Sequence, residues 1–113
     1  MVDIKEFDEE EYYELAVHGE VDASSSIILD NALVKAMGTG KSILINLSGL
    51  EYISSAGLGV FISYLEELKT NQTKLVFYGL NEKVYQVFEI LGLHDLFMIC
   101  DSKESAEQKL HEA

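Results

Sequence analysis

The chain has 113 residues, 48% of them hydrophobic, a size that predicts one domain over residues 1–113 with a single modest core. Its 8 basic residues, all lysine, stand against 20 acidic ones for a net charge of -12, a surface sign that excludes nucleic acid and membrane surfaces as partners. With no arginine there is no planar fork to grip a phosphate, so phosphate chemistry must rest on backbone N–H groups or on a partner's residues.

The one cysteine, Cys100, cannot close an internal disulfide, and its apolar surroundings, Leu96-Phe97-Met98-Ile99, predict a small buried hydrophobe. Met1-Val2-Asp3-Ile4-Lys5 lacks a basic segment followed by an apolar one, and no apolar run approaches the ~18 residues of a membrane span. The expectation is a cytoplasmic protein without membrane insertion.

In chain order, Val2, Ile4 and Phe7 suggest a first strand, and Asp8-Glu9-Glu10-Glu11 a solvated hairpin turn. From Tyr12 to Val21 the residues Tyr13, Leu15 and Val17 alternate with Glu14, Ala16 and His18, the pattern of a half-buried strand with His18 on the exposed face. Asp22-Ala23-Ser24-Ser25-Ser26 offers several helix caps, and Ile28, Leu29, Ala32, Leu33, Ala36 and Met37 follow at helical spacing up to Gly38. Ile43-Leu44-Ile45 with Leu47 is nearly continuous apolar sequence, which suits a central strand covered on both faces.

The segment Leu47 to Gly59 reads as strand, loop, then helix, the helix marked by Leu58, Phe61, Leu65 and Leu68 and fading at Thr70-Asn71-Gln72. Leu75-Val76-Phe77-Tyr78 predicts a short buried strand. A helix carrying Val84, Val87, Phe88 and Leu91 then stops at Gly92, and Leu96 to Cys100 gives one more strand. Asp101 with Glu104 matches a capping box ahead of a thin stripe, Ala106 and Leu110. An opening hairpin followed by alternation implies an α/β fold: a mixed, largely parallel sheet of about five strands with about four covering helices.

Few patterns support chemistry. Gly57 and Gly59 do not complete a G-x-G-x-x-G, and no lysine follows in phosphate-loop spacing. Of the three histidines, His94 lies by a helix end and His111 in a terminal helix. None stands with a serine and an acid as a hydrolase requires, and none has a metal-ligand neighbour. What remains is Ser54-Ser55-Ala56-Gly57, two hydroxyls at a helix start, where N–H groups without intrahelical partners favour an acceptor or an anion. These residues alone allow either a plain cap or a phosphate site.

Gly19-Glu20-Val21-Asp22, Ile45-Asn46-Leu47-Ser48 and Tyr52-Ile53-Ser54-Ser55-Ala56-Gly57-Leu58-Gly59 together resemble the anti-sigma-factor antagonists, bacterial members of the STAS domain family. The resemblance spans essentially the whole chain. It implies the STAS fold, no enzymatic activity and no cofactor or metal. It also implies a partner that is both an anti-sigma factor and an ATP-dependent serine kinase, and a serine phosphatase that reverses the modification.

The family's phosphorylated serine maps to Ser55, with Ser54 the alternative. Ser54 stands where aspartate is usual, Ala56 where a second hydroxyl is common, and Asn46 where aspartate is common. The resemblance puts the partner-binding surface on Asp22, Ser24, Ser54, Ser55, Ala56, Gly57, Leu58 and Gly59, and it suggests that Ser54 caps the helix while Ser55 takes the phosphate. The other reading of the same family is a non-switching scaffold subunit of a lipid-transport or signalling assembly.

Overall fold

A computed structural model describes residues 1–112. The run Ile43-Leu44-Ile45, fully buried on both sides, makes the centre of a five-stranded sheet. The strands are β1 (Val2–Asp8), β2 (Tyr12–Val21), β3 (Ser42–Ile53), β4 (Leu75–Tyr78) and β5 (Met98–Cys100), ordered β1-β2-β3-β4-β5 across the sheet. β1 runs antiparallel to β2 and the other pairs are parallel, so every connection after the hairpin crosses over through a helix.

One face of the sheet is covered by α1 (Ser26–Met37), α2 (Ser55–Ser63), α3 (Leu65–Thr70) and α4 (Glu82–Ile90), through Leu29, Leu33, Leu58, Phe61, Leu68, Val84 and Phe88. Phe77 at the middle of β4 meets the rings of Phe61, Phe88 and Phe97 edge-on at centroid distances of 4.9, 5.5 and 5.1 Å. Such pairs add about 0.5–1.5 kcal/mol each beyond area burial, so Phe77 ties α2 and α4 to the sheet. The opposite face is covered, among the described residues, by α5 (Lys103–His111) alone, whose Ala106 packs on Leu44, Val76 and Tyr78.

Several expectations are corrected. Ser48 to Ile53 is strand, not loop: β3 continues past Gly49 beside β2, through register shifts that pair His18 with Gly49, Gly19 with Leu50 and Val21 with Ile53. Gly49 is required because a Cβ there would stand 2.2 Å from His18 Cδ2, and the same packing leaves His18 half-buried instead of exposed. The helix expected through Leu68 breaks at Tyr64, whose hydroxyl donates to Asp30 Oδ1 at 2.5 Å and pins the joint between α2 and α3. β5 begins only at Met98, after a single 3₁₀ turn, Leu93–Asp95, and Leu96 stays exposed. The last helix is capped by Ser102, which accepts the N–H of Ser105 at 3.2 Å, and not by Asp101.

Burial also departs from the simple patterns. Ile28 and Leu91, counted as core-facing, are exposed, and Cys100 is only half-buried beneath α5, where burial raises its thiol pKa. Glu14, placed on the solvent face by alternation, is 3% exposed because α5 closes over that face. The hydroxyl of Tyr78 donates to its Oε2 at 2.8 Å. Lys103 Nζ stands 3.1 Å from Oε1, an ion-pair contact that falls short of hydrogen-bond alignment.

Candidate functional site at the start of the second helix

α2 begins where β3 ends, and Ser54 is the residue between them. Its extended backbone (φ -82°, ψ 170°) turns the chain, and its Oγ accepts the Gly57 N–H at 3.2 Å. This is a side-chain cap that satisfies one of the free donors of the first turn. Ser55 is therefore the first residue of the helix proper, and its side chain is exposed. The serine pair divides its work: one oxygen holds the helix start, the other faces outward.

Buried neighbours fix this geometry. Leu58 is 2% exposed, and Gly57 is buried so closely over the strand ends that a Cβ would stand 2.8 Å from both Ile53 Cγ1 and Val21 Cγ1. Gly57 and Leu58 thus position the site from below, while Ser55 and Ala56 are exposed and Gly59 is half-buried, with open space beside its Cα. Of the residues expected on a partner surface, Gly57 and Leu58 are not brought to it.

The loop before α1 joins the same rim. The Ser54 N–H donates to Val21 O at 2.8 Å, which places Asp22 alongside the serine turn. Asp22 is itself tightly engaged: its Oδ1 accepts from the Ser24 hydroxyl at 2.8 Å and from the Ser25 N–H and hydroxyl, both at 2.9 Å. The Ser24 hydroxyl, with the Ser25 N–H and hydroxyl, lowers the Asp22 pKa to about 2, so the rim keeps a negative charge throughout the ordinary pH range. Ser24 is exposed and serves first as a donor to Asp22.

No cation offsets that charge from nearby in sequence: neither Glu6 to Val34 nor Ser42 to Leu68 contains a lysine. The rim also carries exposed Tyr52 just before the turn and exposed Ile27 in the first turn of α1. Neither was singled out as a site residue from the sequence, where Tyr52 stands only within the family motif and Ile27 outside the apolar stripe read for the helix. Among the described residues no group of three or more His, Cys, Asp or Glu is gathered as a metal site, and no helix is long and apolar enough to cross a membrane.

An antiparallel edge strand on a parallel sheet, four helices on one face and one on the other, and a hydroxyl presented at a helix start define a known α/β class. The solved structure of an anti-sigma factor antagonist from Mycobacterium paratuberculosis has this fold, with a TM-score of 0.89 and 18% identity over 99% of this chain and 96% of that one. The phosphorylated form of the Bacillus cell fate determinant SpoIIAA shares it at a TM-score of 0.70 and 18% identity, covering 98% of this chain and 100% of that one. The STAS domain model matches residues 5–106, and the chain belongs to the STAS domain family. An anti-sigma-B factor antagonist of Listeria monocytogenes is 35% identical over 87% of this chain and 86% of its own length.

Proposed function

We propose that this protein is an anti-sigma-factor antagonist that works by partner switching. Unmodified, it binds an anti-sigma factor through the rim formed by Asp22, Ser24, Ser54, Ser55, Ala56 and Gly59, and so frees the sigma factor for transcription. The anti-sigma factor is also a serine kinase: it transfers phosphate from ATP to Ser55, the complex separates, and a serine phosphatase resets the cycle. The protein itself is a regulator and not an enzyme, and it acts in the cytoplasm.

The observation that carries this reading is the division of labour between the serines. Ser54 is committed to the cap, whereas Ser55 is exposed at the first helical position. Phosphorylation there adds about -1.5 to -2 charge and three acceptor oxygens. The helix N-terminus accommodates that charge, so the fold need not change. An interface packed against a bare hydroxyl has no such allowance, and the adjacent Asp22 adds like charge. A loss of ~3 kcal/mol there lowers affinity about a hundredfold.

The test is incubation with candidate anti-sigma kinases and ATP, site mapping by mass spectrometry, and binding by Ser55→Ala and Ser55→Asp. Ser55→Ala should bind and resist release, and Ser55→Asp should bind weakly. Equal binding by all forms would remove the switch, and phosphate on Ser54 would reassign it. A pull-down returning transporter subunits and no kinase would favour the scaffold role instead.

A further inference from the structure

β1 is the long open edge of the sheet: it spans 7 residues, Val2–Asp8, and pairs only with β2, whereas the other edge strand, β5, has 3. The Glu9 N–H donates to the Tyr12 carbonyl and the Glu20 N–H to the Met1 carbonyl, so the odd-numbered residues of β1 bond inward to β2. The N–H and C=O groups of Val2, Ile4 and Glu6 therefore point outward, where no strand stands beside them. On the helix side of this edge, Val2, Ile4, Ile28 and Ala32 line the apolar part of a groove of about 410 Å³ between β1 and α1, and Ile28 is 48% exposed. On the other face of β1, Asp3, Lys5 and Phe7 are exposed, and neither Asp3 nor Lys5 makes an ion pair among the described residues. Glu6, by contrast, is already held: its Oε1 accepts the Tyr13 hydroxyl at 2.5 Å and stands 3.4 Å from Lys35 Nζ.

We infer that β1 pairs with β1 of a second copy of this chain, antiparallel about a two-fold axis through Ile4, joining the two sheets into one. Backbone and charge together select the register. Two-fold symmetry sets one residue opposite its own copy on the axis. Centring on Asp3, Lys5 or Glu6 would oppose like charges there, which is destabilising, and centring on Val2 would engage only Met1 to Asp3. Centred on Ile4, the outward groups of Ile4 face those of Ile4 in the other copy and the groups of Val2 face those of Glu6, giving about six inter-chain hydrogen bonds. Between them, in the closer pairs that exchange no hydrogen bonds, Asp3 of each copy lies opposite Lys5 of the other. The two charges left without a partner inside one chain thus neutralise each other across the axis. On the helix side, Ile4 and Ile28 of both copies close over the groove, and on the other face Phe7 meets Met1. Because the axis reverses strand direction, the two serine turns point to opposite ends of the joined sheet and both stay uncovered. Self-association is therefore independent of the switch proposed at Ser55.

The test is sedimentation equilibrium of the untagged full chain at concentrations up to about 1 mM and an ionic strength of about 0.15 M. A monomer–dimer equilibrium in the micromolar range is expected, since a strand-edge contact lies at the small, transient end of interfaces. Asp3→Lys alone and Lys5→Asp alone each set like charges opposite one another and should weaken dimerisation about tenfold or more. The double variant should restore it. An equimolar mixture of the two single variants should form a heterodimer although neither pairs well with itself, because each then meets only opposite charges. Both positions are exposed, and urea midpoints check that the variants stay folded. A dimer that neither single variant weakens, or single variants that fail to rescue each other, would overturn the assignment. So would a dimer dissociated by Leu96→Glu and not by Asp3→Lys, which would place the contact at the β5 edge. A chain still monomeric at about 1 mM would also overturn it, leaving the β1 edge to a strand from another protein.

Discussion

Ser54 Oγ accepts the Gly57 N–H at 3.2 Å, so the hydroxyl immediately before the proposed phosphosite is already spent on holding the helix. Ser54→Ala should therefore lower stability by about 1 kcal/mol and leave phosphorylation at position 55 possible. Ser55→Ala should change stability by less than about 0.5 kcal/mol and abolish phosphorylation. Urea unfolding run beside a kinase assay separates the two. If Ser55→Ala proved the more destabilising, the roles would have to be exchanged.

Gly57 and Gly59 should respond in opposite senses to the same change. At Gly57 the new methyl meets Ile53 and Val21 at 2.8 Å, and overpacking of this kind costs about 1–3 kcal/mol, against which helix propensity returns about 1. At Gly59 nothing lies within 4 Å, so alanine should stabilise the helix by about 0.5–1 kcal/mol. Thermal denaturation of both variants checks the contrast, and Gly59→Ala should pair its gain in stability with weaker anti-sigma binding, since the methyl points into the proposed interface.

Glu14 and Tyr78 reach across β3 to each other beneath α5. Tyr78→Phe removes the only donor among the described residues that is aligned on the buried carboxylate and should cost about 1–3 kcal/mol, read from urea midpoints. Burial first, then the bond to Glu14, raises the Tyr78 phenol pKa above its usual value. Its linked stability is fully present below about pH 10 and lost as pH rises through the raised folded value. Tyr78→Phe has no phenol to ionise at this position, so its stability, lower at neutral pH, should fall less steeply above about pH 10 than the parent's, and tyrosine absorbance of the parent should show Tyr78 ionising only as the fold opens.

Asp22 gives the acid-side counterpart. Its pKa is lowered to about 2 in the folded chain, against about 3.9 for a free aspartate, so the linked ordering of the loop is present above about pH 4 and disappears as pH falls through 2. A carboxyl titration by NMR should place the midpoint near 2, and Ser24→Ala should move it upward. An unshifted midpoint would mean that the hydroxyls of Ser24 and Ser25 point elsewhere in solution.

The parts of the fold that were legible in the sequence are those whose neighbours are local or repetitive. The strand from Tyr12 to Val21, the helix from Ser26 to Met37 and the buried run Ile43-Leu44-Ile45 all appear as expected, because a period of two or of 3.6 is a local property. The half-buried alternation read in the strand does not, since Tyr13 through Val17 are all buried. The extension of β3 to Ile53 was hidden by loop-like composition at Ser48-Gly49, where the glycine serves the His18 ring and not a turn. Burial of Glu14 depended on α5, whose nearest residue in contact is 89 positions away, and no local pattern reports that. Likewise the break at Tyr64 has neither proline nor glycine to announce it. What marks the joint is the bond from the Tyr64 hydroxyl to Asp30 on another helix. At the site, the cap and the outward hydroxyl follow the motif, whereas Tyr52, Ile27 and the burial of Gly57 and Leu58 required the packed structure.

The hairpin has a practical consequence for every experiment above. Because β1 runs antiparallel to β2, Val2 lies opposite Gly19, and the Met1 carbonyl packs so tightly against Gly19 that a Cβ would come within 2.2 Å of it. The amino end therefore leaves the sheet two strands, or about 10 Å, from the serine turn. An affinity tag fused to Met1 would crowd the rim that the kinase is proposed to grip. One fused after α5 would emerge by Lys74, at the other end of the sheet. Anti-sigma binding measurements accordingly call for protein tagged after α5 or left untagged.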